Sequence, residues 1–330
     1  MILKSTPKLF LKRCGVLYFL IFVLIGCSQD SPVKETRVLM DTYAEISCYS
    51  SDRNNAVNAI DAAFKEMQRI EKVFSKFDED SEVSKINRLA GIQGTTVDAE
   101  ILKLIEDSIY YSRISDGAFD ITVSPLMEIW GFARKDHVVP DKGKIEETLK
   151  RVGYKNIILD SEKLLIKFLD KGVKIDFGAI AKGYAVDRAK DILVSYGIKN
   201  SLVNLGGNIF ALGNAPGSKN WKIGVQDPRN KERLLWGFEL KNRAISTSGN
   251  YERFFEIGGK KYSHIMNPVS GEPCQGIISV TVVADSAEEA DVLSTTIFVL
   301  GEEKGINLAK SIKDIEVLIL TEEGKIAAYP

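Results

Sequence analysis

The stretch SLVNLGGNIFALG, residues 201–213, decides the fold class. Two short apolar-rich runs, each of strand length, flank the pair Gly206-Gly207. A glycine pair there marks close backbone approach, a bulge or a kink in a sheet. Comparable runs continue on both sides: NIILD (156–160), LLIKF (164–168), GVKID (172–176), WKIGVQD (221–227), LLWGFEL (234–240), RAISTSG (243–249), YERFFEI (251–257) and ISVTVVA (278–284). TRVLMDTYAEISCYS (36–50) reads as a strand or hairpin arm, and IEVLILTEEGKIAAYP (315–330) as a closing hairpin.

Helical patterns are fewer and longer. Apolar residues at 56, 57, 60, 63, 64, 67, 70, 73 and 74 predict an amphipathic helix. DSEVSKIN (80–87) predicts a short capped helix, and DAEILKLIEDSIYYSRISDG (98–117) a longer one that Asp98 caps and Gly117 stops. Further helices are expected in PDKGKIEETLKRVG (140–153), over 179–196, in SAEEADVLSTTIFVLG (286–301) and in EEKGINLAKSI (302–312). Many hairpin-length strands with a few long helices predict an α+β fold with antiparallel sheet, not a doubly wound parallel one. No linker interrupts residues 33–330, which read as one unit.

The first residues differ. Lys4, Lys8, Lys12 and Arg13 precede VLYFLIFVLIG (16–26), whose eleven residues suit the apolar core of a signal peptide better than a membrane span. The run ends in LIGC, which resembles the bacterial lipobox. The expectation is a lipoprotein signal peptide at 1–26, lipidation of Cys27, a polar tether at 27–32, and a body held to a membrane facing the periplasm or cell exterior. An uncleaved membrane anchor is the alternative. Only Cys48 and Cys274 remain in the body, too few for a disulfide framework; a single bridge or two free thiols are both open. The whole chain has 44 basic and 45 acidic residues, and no basic stripe, which argues against a nucleic-acid partner.

Chemistry-bearing residues recur in glycine-punctuated segments. In VKIDFGAIAKGYAVDRA (173–189), a strand-like end at Asp176 feeds a helix through Gly178 and Gly183, with Lys182 beside them. Backbone N–H groups and a lysine there suit an anion, although a tight turn with an exposed ion pair gives the same pattern. His264 lies in a loop-like segment, and His137 in what reads as a surface loop. Asp291 and Thr295, four apart on a predicted helix, share a face and can offer oxygen ligands to a hard cation, given a third oxygen from elsewhere, although an N-terminal helix acid and an ordinary threonine give the same spacing. Gly117-Ala118-Phe119-Asp120 reads as a ligand-wrapping turn or as an ordinary helix cap.

The order of these segments resembles the FAD:protein FMN transferases of the ApbE family. LMDTYAEI (39–46), DGAFDITVSPL (116–126) with WGF (130–132), IDFGAIAKGYAVD (175–187), VNLGGNI (203–209), STSGNYER (246–253), HIMNPVSG (264–271) and AEEADVLSTTIFVLG (287–301) carry the likeness. The resemblance implies a mixed α+β fold and Mg²⁺-dependent transfer of the FMN half of FAD to a threonine or serine hydroxyl of an acceptor flavoprotein, with AMP released. It also implies that Met40, Phe77, Ala118, Phe119, Asp120, Asp176, Lys182 and Ile265 contact FAD. The Ala179 carbonyl, Asp291 and Thr295 would hold Mg²⁺, and His264 would be the candidate base. Acceptors would be subunits of sodium-pumping or electron-bifurcating redox complexes, or other exported flavoproteins. Two departures stand out: Phe77 replaces a frequent tyrosine, and Asp41 a frequent glycine. An FAD pyrophosphatase and a non-catalytic FAD-binding lipoprotein are the rival readings.

Overall fold

A computed structural model describes residues 32–133 and 136–330. The expected signal peptide, Cys27 and the tether up to residue 31 lie outside the described residues.

The main sheet has eight strands in the order β1 (Val33–Leu39), β2 (Thr42–Cys48), β6 (Ser201–Leu205), β7 (Asn208–Leu212), β10 (Arg243–Gly249), β13 (Ile277–Ala284), β14 (Glu316–Thr321) and β15 (Ile326–Tyr329). Every neighbouring pair is antiparallel. A smaller sheet joins β3 (Thr95–Thr96), β5 (Leu165–Phe168) and β4 (Ile157–Asp160). Two hairpins stand apart: β8 (Trp221–Asp227) with β9 (Asn230–Leu240), and β11 (Phe254–Ile257) with β12 (Lys260–Ser263). The helices are α1 (Arg53–Phe74), α2 (Glu82–Leu89), α3 (Ala99–Ile114), α4 (Ser124–Ile129), α5 (Lys142–Leu149), α6 (Ala181–Ser195) and α7 (Ala287–Ser311). The α+β expectation therefore holds.

Sequence patterning explains the layers. On α1, Ala56, Ala59, Ile60, Ala63, Phe64, Met67 and Ile70 recur every three or four residues and are buried in the main core, which α6, α7 and the sheet share. The opposite sheet face is covered by Trp221, Val225, Phe238 and Leu240 of the β8–β9 hairpin, packed on Ala211, Ile245, Val283 and Leu318. Strand β13 is thus enclosed on both sides and reads as a nearly unbroken apolar run. A third cluster, around Leu126, Trp130, Ile145, Phe255 and Met266, packs α4 and α5 against the β11–β12 hairpin. Within the described residues no helix is long and apolar enough to cross a membrane.

Several local expectations are refined. Gly206 and Gly207 are neither a bulge nor a kink; with φ of 58° and 92° they form the two-residue turn joining β6 to β7. At the β1–β2 turn, Met40 and Asp41 also have left-handed φ, 50° and 59°, which accounts for glycine suiting the second position. GVKID forms no ladder strand. Both backbone polar groups of Ile175 are taken by the Asn87 amide, at 2.7 Å and 2.9 Å, and the Asp176 N–H donates to the Ile121 carbonyl at 2.7 Å. Asp98 occupies the N-cap position of α3 without a side-chain capping bond. Cys48 and Cys274 are free thiols.

Candidate active site

The site is built where α6 and α7 cross beside β7 and β10. Asp291, only 3% exposed, accepts a hydrogen bond from the Gly183 N–H through Oδ2 at 3.0 Å. Its Oδ1 lies 3.3 Å from the Lys182 ammonium. The orientation of the buried Asn208 amide that satisfies all its neighbours has its nitrogen donating to Asp291 Oδ1 (3.1 Å) and Ser246 Oγ (2.6 Å). Its oxygen accepts from Lys182 at 3.1 Å. Ser248 Oγ lies 2.8 Å from Ser294 Oγ and 3.0 Å from Thr295 Oγ1, continuing the polar network. Lys182 is therefore anchored by a carboxylate and an amide oxygen, which fixes its ammonium at the helix crossing.

Gly183 is the third residue of α6, so its N–H has no acceptor within that helix. That N–H serves Asp291, and among the described residues no backbone donor reaches the Ala179 carbonyl. The Ala179 carbonyl precedes α6, whose Gly183 N–H bonds Asp291, and Thr295 follows Asp291 by one turn of α7. Among the described residues no cluster of three or more His, Cys, Asp or Glu side chains could hold a metal. The donor set is one charged oxygen with neutral ones, which fits a hard cation such as Mg²⁺ that keeps phosphate and water in its shell.

A second group sits on the turn before α6. Asp176 accepts from Lys76 Nζ through Oδ2 at 2.5 Å and from the Gly178 N–H through Oδ1 at 2.9 Å. Burial alone would raise its pKa; the Lys76 charge and hydrogen bond, with the Gly178 N–H, outweigh this and hold it below the usual carboxylate range. The Lys76 ammonium also lies 5.2 Å from the centre of the Phe77 ring, which is 60% exposed.

His264 follows β12. Its Nδ1 lies 3.1 Å from the Arg253 carbonyl, which also accepts from the His264 N–H at 3.0 Å. A carbonyl can only accept, so Nδ1 carries the proton and Nε2 keeps its lone pair. Burial is the main cause pushing the imidazole pKa down to about 4; the bond to the Arg253 carbonyl opposes it, the positive charges of Arg253 and Lys182 add to it, and Asp176 opposes it.

The remaining expected residues divide by their side-chain environment. The Met40 N–H donates to Glu71 at 2.8 Å, and the Asp41 carboxylate lies 3.6 Å from Arg253. Ala118, Phe119 and Asp120 are buried. Both Asp120 oxygens are spent internally: one accepts from the Thr122 N–H (2.8 Å) and hydroxyl (2.6 Å), the other from the Tyr154 N–H (2.6 Å). Ile265 is buried beside His264. His137 is exposed, as expected of a loop residue, and stacks on Phe255 at 4.7 Å. Lys76, Asn87, Asn208, Ser248 and Arg253 were not singled out by sequence. Asn208 and Ser248 do lie inside the glycine-bearing blocks, but Lys76 meets Asp176 across 100 positions and carried no local signal.

The ApbE family profile matches residues 40–319. The chain belongs to the ApbE family. Among curated ApbE relatives, the FAD:protein FMN transferase of Klebsiella pneumoniae (strain 342) is 34% identical over 243 residues, covering 73% of this chain and 75% of that protein. The one from Treponema pallidum (strain Nichols) is 29% identical over 335 residues, covering 96% and 92%. The crystal structure of the ApbE protein from Thermotoga maritima superposes with a TM-score of 0.84 at 37% identity, covering 90% of this chain and 96% of that one.

Proposed function

We propose that this ApbE chain transfers the FMN half of FAD to a threonine or serine hydroxyl of an acceptor protein and releases AMP. The observation that carries the reading is the buried Asp291–Lys182–Asn208 cluster, with His264, its Nδ1 bound to the Arg253 carbonyl and its Nε2 free, feeling the Lys182 charge. The acceptor oxygen attacks the FMN-side phosphorus in line. A new P–O bond forms, the bond to the bridging oxygen breaks, and AMP leaves with that electron pair. His264 Nε2 takes the hydroxyl proton, with Nδ1–H anchored on Arg253 so that the ring stays oriented. Lys182 shares the phosphate charge. Asp291, Thr295 and the Ala179 carbonyl would hold Mg²⁺, which when bound neutralises pyrophosphate charge. Asp176, with Phe77 beside Lys76, and the Met40 turn would face the flavin.

The test incubates the mature protein with Mg²⁺, FAD and an acceptor known to be competent with another transferase, then records acceptor mass and in-gel flavin fluorescence. A mass gain of one FMN residue, absent with Asp291→Ala, supports the reading. FMN and AMP without protein labelling would identify a pyrophosphatase. Intact bound FAD would leave only a carrier.

We further propose that the protein is exported and anchored through a lipid on Cys27. The basic start, the short apolar run and LIGC support this. Metabolic labelling with a lipid probe, compared with Cys27→Ala, tests it: an equally labelled variant would refute the assignment.

A further inference from the structure

Asp291 is not the only carboxylate at the helix crossing. Asp187 of α6 accepts from the Ala287 N–H at 3.0 Å through Oδ1 and from the Glu288 N–H at 2.9 Å through Oδ2. Asp291 of α7 in turn accepts from the Gly183 N–H of α6. Asp187 lies four residues after Gly183, and Asp291 four residues after Ala287. Each helix therefore caps the other's first turn with a carboxylate one turn into itself. At the centre of this exchange the backbones touch: a Cβ on Gly183 would lie 2.2 Å from the Ala287 carbonyl oxygen. Ser286 takes the Glu289 N–H at 3.1 Å, so the first three N–H groups of α7 are all satisfied, two of them by Asp187.

We infer that Asp187 is a positioning residue that sets the place of Asp291 and Thr295, by fixing the start of α7 on α6. This rests on the function proposed above only for the role of those two residues. Without Asp187, two N–H donors at the buried first turn of α7 lose their partners, and that turn must shift to reach others. Asp291 and Thr295 ride on the same helix and shift with it. The Asp176–Lys76 pair sits on the turn before α6 and just after α1, so it does not depend on α7. Loss of Asp187 therefore degrades the cation-facing half of the site and spares the half that faces the flavin.

Asp187→Ala and Asp187→Asn separate this from a merely structural role. Mn²⁺ binding to the mature protein is titrated by the electron-paramagnetic signal of free Mn²⁺, and FAD binding by flavin fluorescence in EDTA. The Ala variant is expected to weaken Mn²⁺ binding by about tenfold or more, with FAD binding in EDTA unchanged. The Asn variant, which keeps one acceptor, is expected in between. In the transfer assay, the metal concentration for half-maximal rate rises while the rate at saturating metal recovers. Wild-type Mn²⁺ affinity in the Asn variant, or a parallel loss of FAD binding in EDTA, would overturn the inference, and the Asn result decides if the Ala variant does not fold. Mn²⁺ affinity that falls as expected in a protein transferring no FMN would sustain this inference while refuting the transferase reading. A wild-type protein that binds no Mn²⁺ would overturn the inference.

Discussion

Gly183→Ala probes the helix crossing with a single methyl group. The added Cβ would meet the Ala287 carbonyl oxygen at 2.2 Å, the Ala287 carbonyl carbon at 2.6 Å and the Glu288 Cα at 2.7 Å. All three are backbone atoms, so no side-chain rotation relieves the clash. Ordinary contact begins at 3.4 Å, and the helices must part by the difference, 3.4 − 2.2 = 1.2 Å. Overpacking of this kind costs about 1–3 kcal/mol. Parting also stretches the Gly183 N–H bond to the Asp291 carboxylate, a charge-assisted bond worth about 1.5–3 kcal/mol. Alanine's better helix propensity returns about 1 kcal/mol. The expected net destabilisation is about 1.5–5 kcal/mol, read as a lower urea midpoint with an unchanged m-value in circular dichroism at pH 7. A neutral or stabilised variant would refute the close-crossing argument.

Three further outcomes are expected. Lys76→Met leaves the Asp176 carboxylate largely buried without its cation and costs about 3 kcal/mol at pH 7. Because the wild-type Asp176 pKa is depressed, the pair's contribution is present above the unfolded carboxylate pKa and is lost as pH falls through the folded one. The gap between wild type and variant in urea midpoint must therefore narrow on acidification; a pH-independent gap would refute the assignment. His264, measured by NMR titration, should remain neutral down to about pH 4, so no acid limb near pH 6.5 should come from it. Its replacement by Ala should cut transfer by about 10²–10⁴-fold with FAD affinity retained; equal loss of binding would assign it to the substrate pocket instead. Asn87→Leu removes both bonds to Ile175 and should weaken FAD binding by releasing the segment that carries Asp176, checked by fluorescence titration.

The sheet was legible because alternating short runs have few other physical solutions. The blocks around Asp176, Lys182, Asp291 and Thr295 stood out through the order in which they resemble the ApbE family, whereas spacing alone left a tight turn and an ordinary helix acid open. GVKID misled because it looks like a strand; its hydrogen bonds go to the Asn87 side chain, 88 positions away, which no local pattern encodes. The reciprocal caps were hidden for the same reason: Asp187 and Asp291 each resemble an ordinary helix acid until the chain brings residues about a hundred positions apart together. Asp120 shows the opposite case. Its position was foreseen, but its carboxylate is consumed by the Thr122 and Tyr154 groups around it.

Helix α7 carries one more consequence. Gly301 breaks it with φ 77° and ψ −178°, a conformation essentially closed to other residues. The bend brings the second segment back onto the first: a Cβ on Gly305 would lie 2.6 Å from the Ile297 side chain, and Ala309 is buried in the main core. A bulkier residue at 305 would therefore press on the half of α7 that carries Asp291 and Thr295, whereas a label at exposed Glu303 or Lys304 would not. Position 301 is the corner that lets two short helical pieces share one core.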